Sequence, residues 1–160
     1  MLALVAASYF SDITLTVAMT PSDFVWQGFM QGNKDGCKEW PIEGESTLSW
    51  HGKPLDYMPF VYKHPDYWKV IEQETKGTGN MLCSRKLFDD SEKAYNLTEK
   101  EMIKVENICG KLCLIGADDD TLWNTGKYTR RMDERLKKTP HKCDYEVLVY
   151  KYGTHFVFPE

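Results

Sequence analysis

The sequence predicts an α/β fold, a mainly parallel sheet flanked by helices on both faces, and three segments of its last third carry that prediction. Lys111-Leu-Cys-Leu-Ile-Gly116 is a short apolar run closed by glycine, the pattern of a buried strand. Residues 125–138 set Tyr128, Met132 and Leu136 four apart, with Arg130, Arg131, Asp133 and Glu134 on the wet faces, the pattern of an amphipathic helix that Pro140 ends. Tyr145-Glu-Val-Leu-Val-Tyr150 reads as the next strand. A crossover of this length between two strands makes them parallel and the connection right-handed. The loops that leave both strands then open on one edge of the sheet, where open α/β folds bind ligands.

The earlier chain fits the same class. Residues 1–10 read as a buried helix of small and apolar residues, and Ile13-Thr-Leu-Thr-Val-Ala-Met19, β-branched and apolar, reads as a central strand ending at Thr20-Pro21. Residues 24–62 hold Gly, Pro and scattered aromatics, among them Trp26, Phe29, Trp40 and Trp50, without sustained periodicity, and form a loop-rich excursion. Tyr67, Val70 and Ile71 are at helical spacing, with Pro65 suited to a first turn and a stop near Gly77. A second helix is expected over 81–93, and Thr98 with Glu101 makes a capping box. The 160 residues are expected to form one partial domain, incomplete on its N-terminal side, because the chain opens apolar with no polar lead-in.

Composition narrows the function classes. A net charge of −4 argues against nucleic acid, which needs a basic surface. The apolar opening lacks a basic lead and Asp12 interrupts it well short of a membrane span, so neither a secretory signal nor a membrane segment is favoured. The five cysteines, Cys37, Cys83, Cys109, Cys113 and Cys143, are odd in number and spread over a chain large enough not to need staples. Reduced thiols in a cytoplasm are the expectation. Cys109 and Cys113 lack the spacing of a zinc site, and no metal or organic cofactor is implied.

The chemistry lies in the two loops. After the 111–116 strand come Asp118, Asp119 and Asp120, and after the 145–150 strand comes Lys151-Tyr-Gly-Thr-His155. A histidine acting as general base needs a carboxylate on its far nitrogen to fix the tautomer, and a nucleophile on the near side. One of the three aspartates, together with His155, supplies two of those three parts.

Leu114-Ile-Gly-Ala-Asp-Asp-Asp-Thr-Leu-Trp123 and Tyr150-Lys-Tyr-Gly-Thr-His155-Phe-Val-Phe-Pro159 resemble the C-terminal domain of the acyl-CoA thioester hydrolases and bile acid-CoA:amino acid N-acyltransferases, a branch of the α/β-hydrolases. The first matches that family's strand, acidic pair, two residues and Trp; the second matches its Gly-His loop before a proline. The resemblance implies a nucleophile-acid-histidine triad in that chain order and an acyl-CoA, or another acyl thioester or ester, as substrate. Counting back from Trp123 makes Asp120 the triad acid and counting forward from Gly116 makes it Asp119; the Trp register needs no gap, so the resemblance implies Asp120, with Asp119 as the alternative.

The residues after Met1 resemble the helix that follows the family's nucleophile elbow, and the elbow itself has no counterpart in the chain. Gly44-Glu-Ser46-Thr-Leu48 carries only the first half of the pattern, so Ser46 is a poor nucleophile candidate. Cys83 sits in no strand-to-helix elbow and reads as core. With the elbow go the amide donors for an oxyanion, whose loss costs about 100- to 1,000-fold in rate, so the chain alone is expected to be inactive. Two rival classes remain. Asp118, Asp119 and Asp120 would ligate magnesium in a phosphoryl-transfer enzyme, which leaves His155 without a role. A non-catalytic binding remnant would use an exposed sheet edge to associate with itself or another chain. Lys127, Arg130 and Arg131 would steer an anionic coenzyme, or simply form a solvated helix face.

Overall fold

In a computed structural model of the chain, the described residues are 1–28, 45–63, 66–79 and 81–156. Phe29, Cys37, Trp40, Gly44, Pro65 and Pro159 lie outside them. The chain divides into two compact units: one made of Met1–Asp23 with Ile103–Glu160, the other of Phe24–Met102.

The first unit holds the sheet. Helix α1 (Leu2–Tyr9) leads to strand β1 (Leu15–Met19), and after the second unit come β4 (Lys111–Ala117), helix α4 (Thr125–Lys138) and β5 (Asp144–Tyr150). The strands lie in the order β1-β4-β5 and both pairings are parallel, with Leu15 opposite Lys111 and Lys111 opposite Asp144. The sheet and its helices make an α/β fold, as the alternation of segments predicts.

Helix α4 forms where its apolar period places it. Asn124 caps it by accepting from the Lys127 N–H at 3.3 Å, and Tyr128, Met132 and Leu136 are fully or almost fully buried. The helix lies close over β4: a Cβ added to Gly116 would stand 2.5 Å from Thr129 Oγ1 and 2.8 Å from the Thr125 carbonyl oxygen. That glycine fixes how near the helix start comes to the strand.

Two expectations change. β1 reads as a central strand but stands at one edge of the three-stranded sheet, and its alternate residues Leu15, Val17 and Met19 are 62%, 48% and 43% exposed. An apolar run does not by itself say whether both faces are covered. Arg131, assigned to a wet face, instead reaches a fully buried Asp23 with two bonds of 2.6 Å, and Arg135 makes a similar bidentate pair with Glu106 at 2.6 Å. These pairs spend the arginine charges inside the unit.

The second unit holds a hairpin, β2 (Ser49–Trp50) with β3 (Lys53–Pro54), and helices α2 (Asp66–Gly77) and α3 (Arg85–Ala94). The two-residue turn between the hairpin strands has positive φ at both His51 (49°) and Gly52 (74°), the conformation that matches strand twist. Trp26, Phe60, Tyr67 and Phe88 pack ring against ring as its core, with Trp26 edge-on to Phe88 at 4.4 Å. Only one half of the expected capping box forms: Thr98 donates both its N–H (2.9 Å) and its hydroxyl (2.6 Å) to the Glu101 carboxylate, while Thr98 Oγ1 accepts the Lys100 N–H at 3.2 Å, and Met102 bridges to Phe24 where an α-helix was expected. These bonds satisfy a turn there.

Candidate active site

The three parallel strands end side by side, and their ends are tied together. Thr20, just past β1, donates its N–H to the Ile115 carbonyl at 2.7 Å, and Asp118, just past β4, donates its N–H to the Tyr150 carbonyl at 2.9 Å. The loops leaving the strands therefore start from one edge, and three residues from them meet: Asp120, Trp123 and His155.

Asp120 has a fully buried side chain, and His155 is 17% exposed. The imidazole Nδ1 lies 2.9 Å from Oδ2 and 3.2 Å from Oδ1 of Asp120. The same carboxylate accepts the Leu122 N–H at 2.9 Å and, more weakly, the Trp123 N–H at 3.5 Å. Thr125 Oγ1 lies 3.0 Å from Oδ2 and also accepts the Ala117 N–H at 3.0 Å, so the first residue of α4 links the strand end to the carboxylate. A buried carboxylate surrounded by donors on every side has its position fixed, and it presents one oxygen to the ring. Among the described residues no hydrogen-bonding group meets Nε2 of His155.

The other acidic residues go elsewhere. Arg130 holds both oxygens of Asp118, at 2.7 and 2.8 Å, and Asp119 is exposed. Among the described residues no group of three or more His, Cys, Asp or Glu side chains is placed to hold a metal ion. Neighbouring positions in this loop thus have divergent roles, one ion-paired, one solvated, one turned to the histidine.

Trp123 was useful in the sequence only as a register mark; in the structure its ring stands against His155, centroids 4.3 Å apart and planes at 76°. Its Nε1 donates to the Thr20 carbonyl at 3.1 Å. Thr20 has φ of 48°, a left-handed conformation that costs a β-branched residue about 1–3 kcal/mol. Thr125 and Thr20 are the site residues that sequence reasoning missed. Thr125 reads as an ordinary helix start, and no local pattern announces a strained threonine.

The remaining candidates have other surroundings. Ser46 lies in a loop of the second unit, bridged to Gln27, with Oγ accepting the Leu48 N–H at 3.3 Å, and not at a strand-to-helix turn. Burial pushes the thiols of Cys113 and Cys143 above the ordinary cysteine value, which makes them poor nucleophiles. Cys83 is buried, and its backbone N–H bonds to Thr75 Oγ1 at 3.1 Å. Of the proposed basic cluster, Arg130 and Arg131 are paired to Asp118 and Asp23, and Lys127 is exposed. No helix among the described residues is long and apolar enough to cross a membrane.

A parallel sheet with an Asp and a His in the loops after its two last strands defines the α/β-hydrolase type of fold. The family model "BAAT / Acyl-CoA thioester hydrolase C terminal" matches residues 1–159, and the chain belongs to that family. No curated protein and no solved structure matches it significantly.

Proposed function

We propose that this domain carries the acid and base arms of a nucleophile-His-Asp hydrolase acting on acyl thioesters or carboxylic esters, acyl-CoA foremost. The supporting observation is the buried Asp120 carboxylate 2.9 Å from Nδ1 of His155, which leaves Nε2 to face a reacting group. In this reading Asp120 holds the ring in the Nδ1–H tautomer and stabilises the imidazolium as it forms. His155 takes the proton of a serine or cysteine through Nε2 while that nucleophile attacks the acyl carbonyl. The tetrahedral adduct collapses, and His155 returns the proton to the departing thiolate or alkoxide. Water, deprotonated by the same nitrogen, then releases the acid from the acyl-enzyme.

No residue is assigned as the nucleophile, because the sequence carries no recognisable elbow motif and none of the described Ser or Cys candidates sits at a strand-to-helix turn, and the chain alone is expected to turn over no acyl thioester. Assay of the isolated chain against acyl-CoA thioesters and simple esters tests this. The expected result is hydrolysis at the background rate, unchanged in Ser46→Ala. Robust turnover abolished by that substitution would overturn the proposal, and chelator-sensitive phosphatase activity would favour the rival metal chemistry.

Self-association belongs to the same proposal. β1 pairs on one side only among the described residues, and Leu15, Val17 and Met19 are exposed beside that edge. Sedimentation that is concentration-dependent in the wild type and monomeric in Val17→Lys is expected; a wild-type monomer at all concentrations would contradict it. A cytoplasmic setting is proposed on the free thiols, including the exposed Cys109.

A further inference from the structure

We propose that Trp123 is a positioning residue for His155: its indole, anchored through Nε1 to the carbonyl of Thr20, is the wall that keeps the imidazole turned onto Asp120. The inference rests on reading Asp120 and His155 as an acid and base pair.

The loop that carries His155 holds the ring less closely. Its internal bonds join Thr154 Oγ1 to the backbone of Phe156 at 3.3 and 3.4 Å, and the Phe156 ring, itself 70% exposed, stands edge-on to the imidazole at the longer centroid distance of 5.7 Å. The contact to Asp120 pins one nitrogen, but a ring held at one atom still tilts about that bond. The near-perpendicular contact with Trp123, at 4.3 Å and 76°, removes the tilt, since such ring pairs set the positive edge of one against the negative face of the other.

An aromatic wall orients a neighbour only if it is itself fixed. Trp123 is fixed at both ends: its backbone N–H approaches Asp120 Oδ1 at 3.5 Å, and its Nε1 donates at 3.1 Å to a residue 103 positions away. That acceptor is Thr20, the strained residue at the end of β1. Its N–H is bonded to Ile115 at 2.7 Å, its carbonyl receives the indole, and Pro21 after it disfavours the right-handed helical alternative. Strain of this kind persists where surrounding bonds over-determine a conformation. Here those bonds lead through Trp123 to the catalytic candidate, so all three strand ends contribute to the orientation of one ring.

The test is the tautomer of His155, read from its ring ¹⁵N resonances in the 160-residue protein at alkaline pH, where an imidazole is neutral. Wild type is expected to hold the Nδ1–H form. Trp123→Phe keeps an aromatic ring but loses the anchoring donor, and the ratio should move about two- to tenfold toward Nε2–H, the restraint that one hydrogen bond supplies. Thr20→Gly, which keeps the carbonyl and adopts positive φ freely, should keep the wild-type ratio and raise the melting temperature.

A purely structural Trp123 would lower the melting temperature of Trp123→Phe without moving the ratio, and that result overturns the inference. A second measurement needs no variant: the indole Nε1–H of Trp123 should exchange slowly with solvent, and free exchange also overturns it. Failure of the underlying pair looks different. There the wild type itself would show the Nε2–H form, or Asp120→Ala would leave the Nδ1–H form intact.

Discussion

Nδ1 of His155 lies 2.9 Å from Oδ2 of Asp120, a residue 35 positions earlier, and the carboxylate has no exposed surface. The parallel register brings this about. Ala117 and Tyr150 are paired at the ends of β4 and β5, so the loops that follow begin side by side. Asp120 sits three residues past one strand end and His155 five past the other.

Thr125 ties this pair to the sheet, because its hydroxyl serves both the Ala117 N–H and the Asp120 carboxylate. Thr125→Val keeps the shape and removes the hydroxyl, which leaves the buried Ala117 N–H without its acceptor. The expected loss is about 1–3 kcal/mol of folding stability, measured as a lower urea midpoint with an unchanged slope.

Arg131 is expected to matter for folding and not for coenzyme steering. Asp23 is fully buried and receives two Arg131 bonds of 2.6 Å. Arg131→Met takes both of these bonds from the buried carboxylate, and breaking a buried ion pair from one side typically costs about 3–5 kcal/mol. Thermal unfolding checks this: a melting temperature within a degree or so of wild type would show that the pair contributes little.

Much of the first unit was legible because its signals are local. The β4-α4-β5 succession follows from two apolar runs, a four-residue apolar period and Pro140, and the helix observed has the bounds that the pattern gives. Asp120 was separable from Asp119 only by counting from Trp123, a register that picks the carboxylate found beside His155 without explaining why. The reasons are non-local. Thr20 meets Trp123 across 103 positions and Asp23 meets Arg131 across 108, and no periodicity encodes such partners. The second unit was read as loops and isolated helices because Trp26, Phe60, Tyr67 and Phe88 form a core from rings scattered at irregular spacing. Thr98 and Glu101 promised a helix start because the spacing of a capping box also suits a turn in which Thr98 donates twice to the Glu101 carboxylate.

Glu106 should make the fold acid-sensitive. Burial is the largest single influence and raises its carboxyl, but the Arg135 hydrogen bonds and charge, a backbone hydrogen bond and the charge of Lys104 together hold it below the ordinary glutamate value. A group depressed in the folded state contributes its stability above the unfolded value, about 4.3, and loses it as pH falls through the folded one. Stability should therefore decline with acidification below about pH 5. Glu106→Gln should flatten that limb in urea titrations run across it, whereas a limb of unchanged slope would remove Glu106 from the account.

The most direct measurement is the His155 ring ¹⁵N spectrum of wild type beside Asp120→Asn. If Asp120 accepts from Nδ1, the wild type shows a protonated Nδ1 and a bare Nε2, and the amide variant loses that pattern because its NH₂ group donates where the carboxylate accepted. Identical spectra from the two proteins, both with the proton on Nε2, would contradict the claim that this carboxylate sets up the histidine for catalysis.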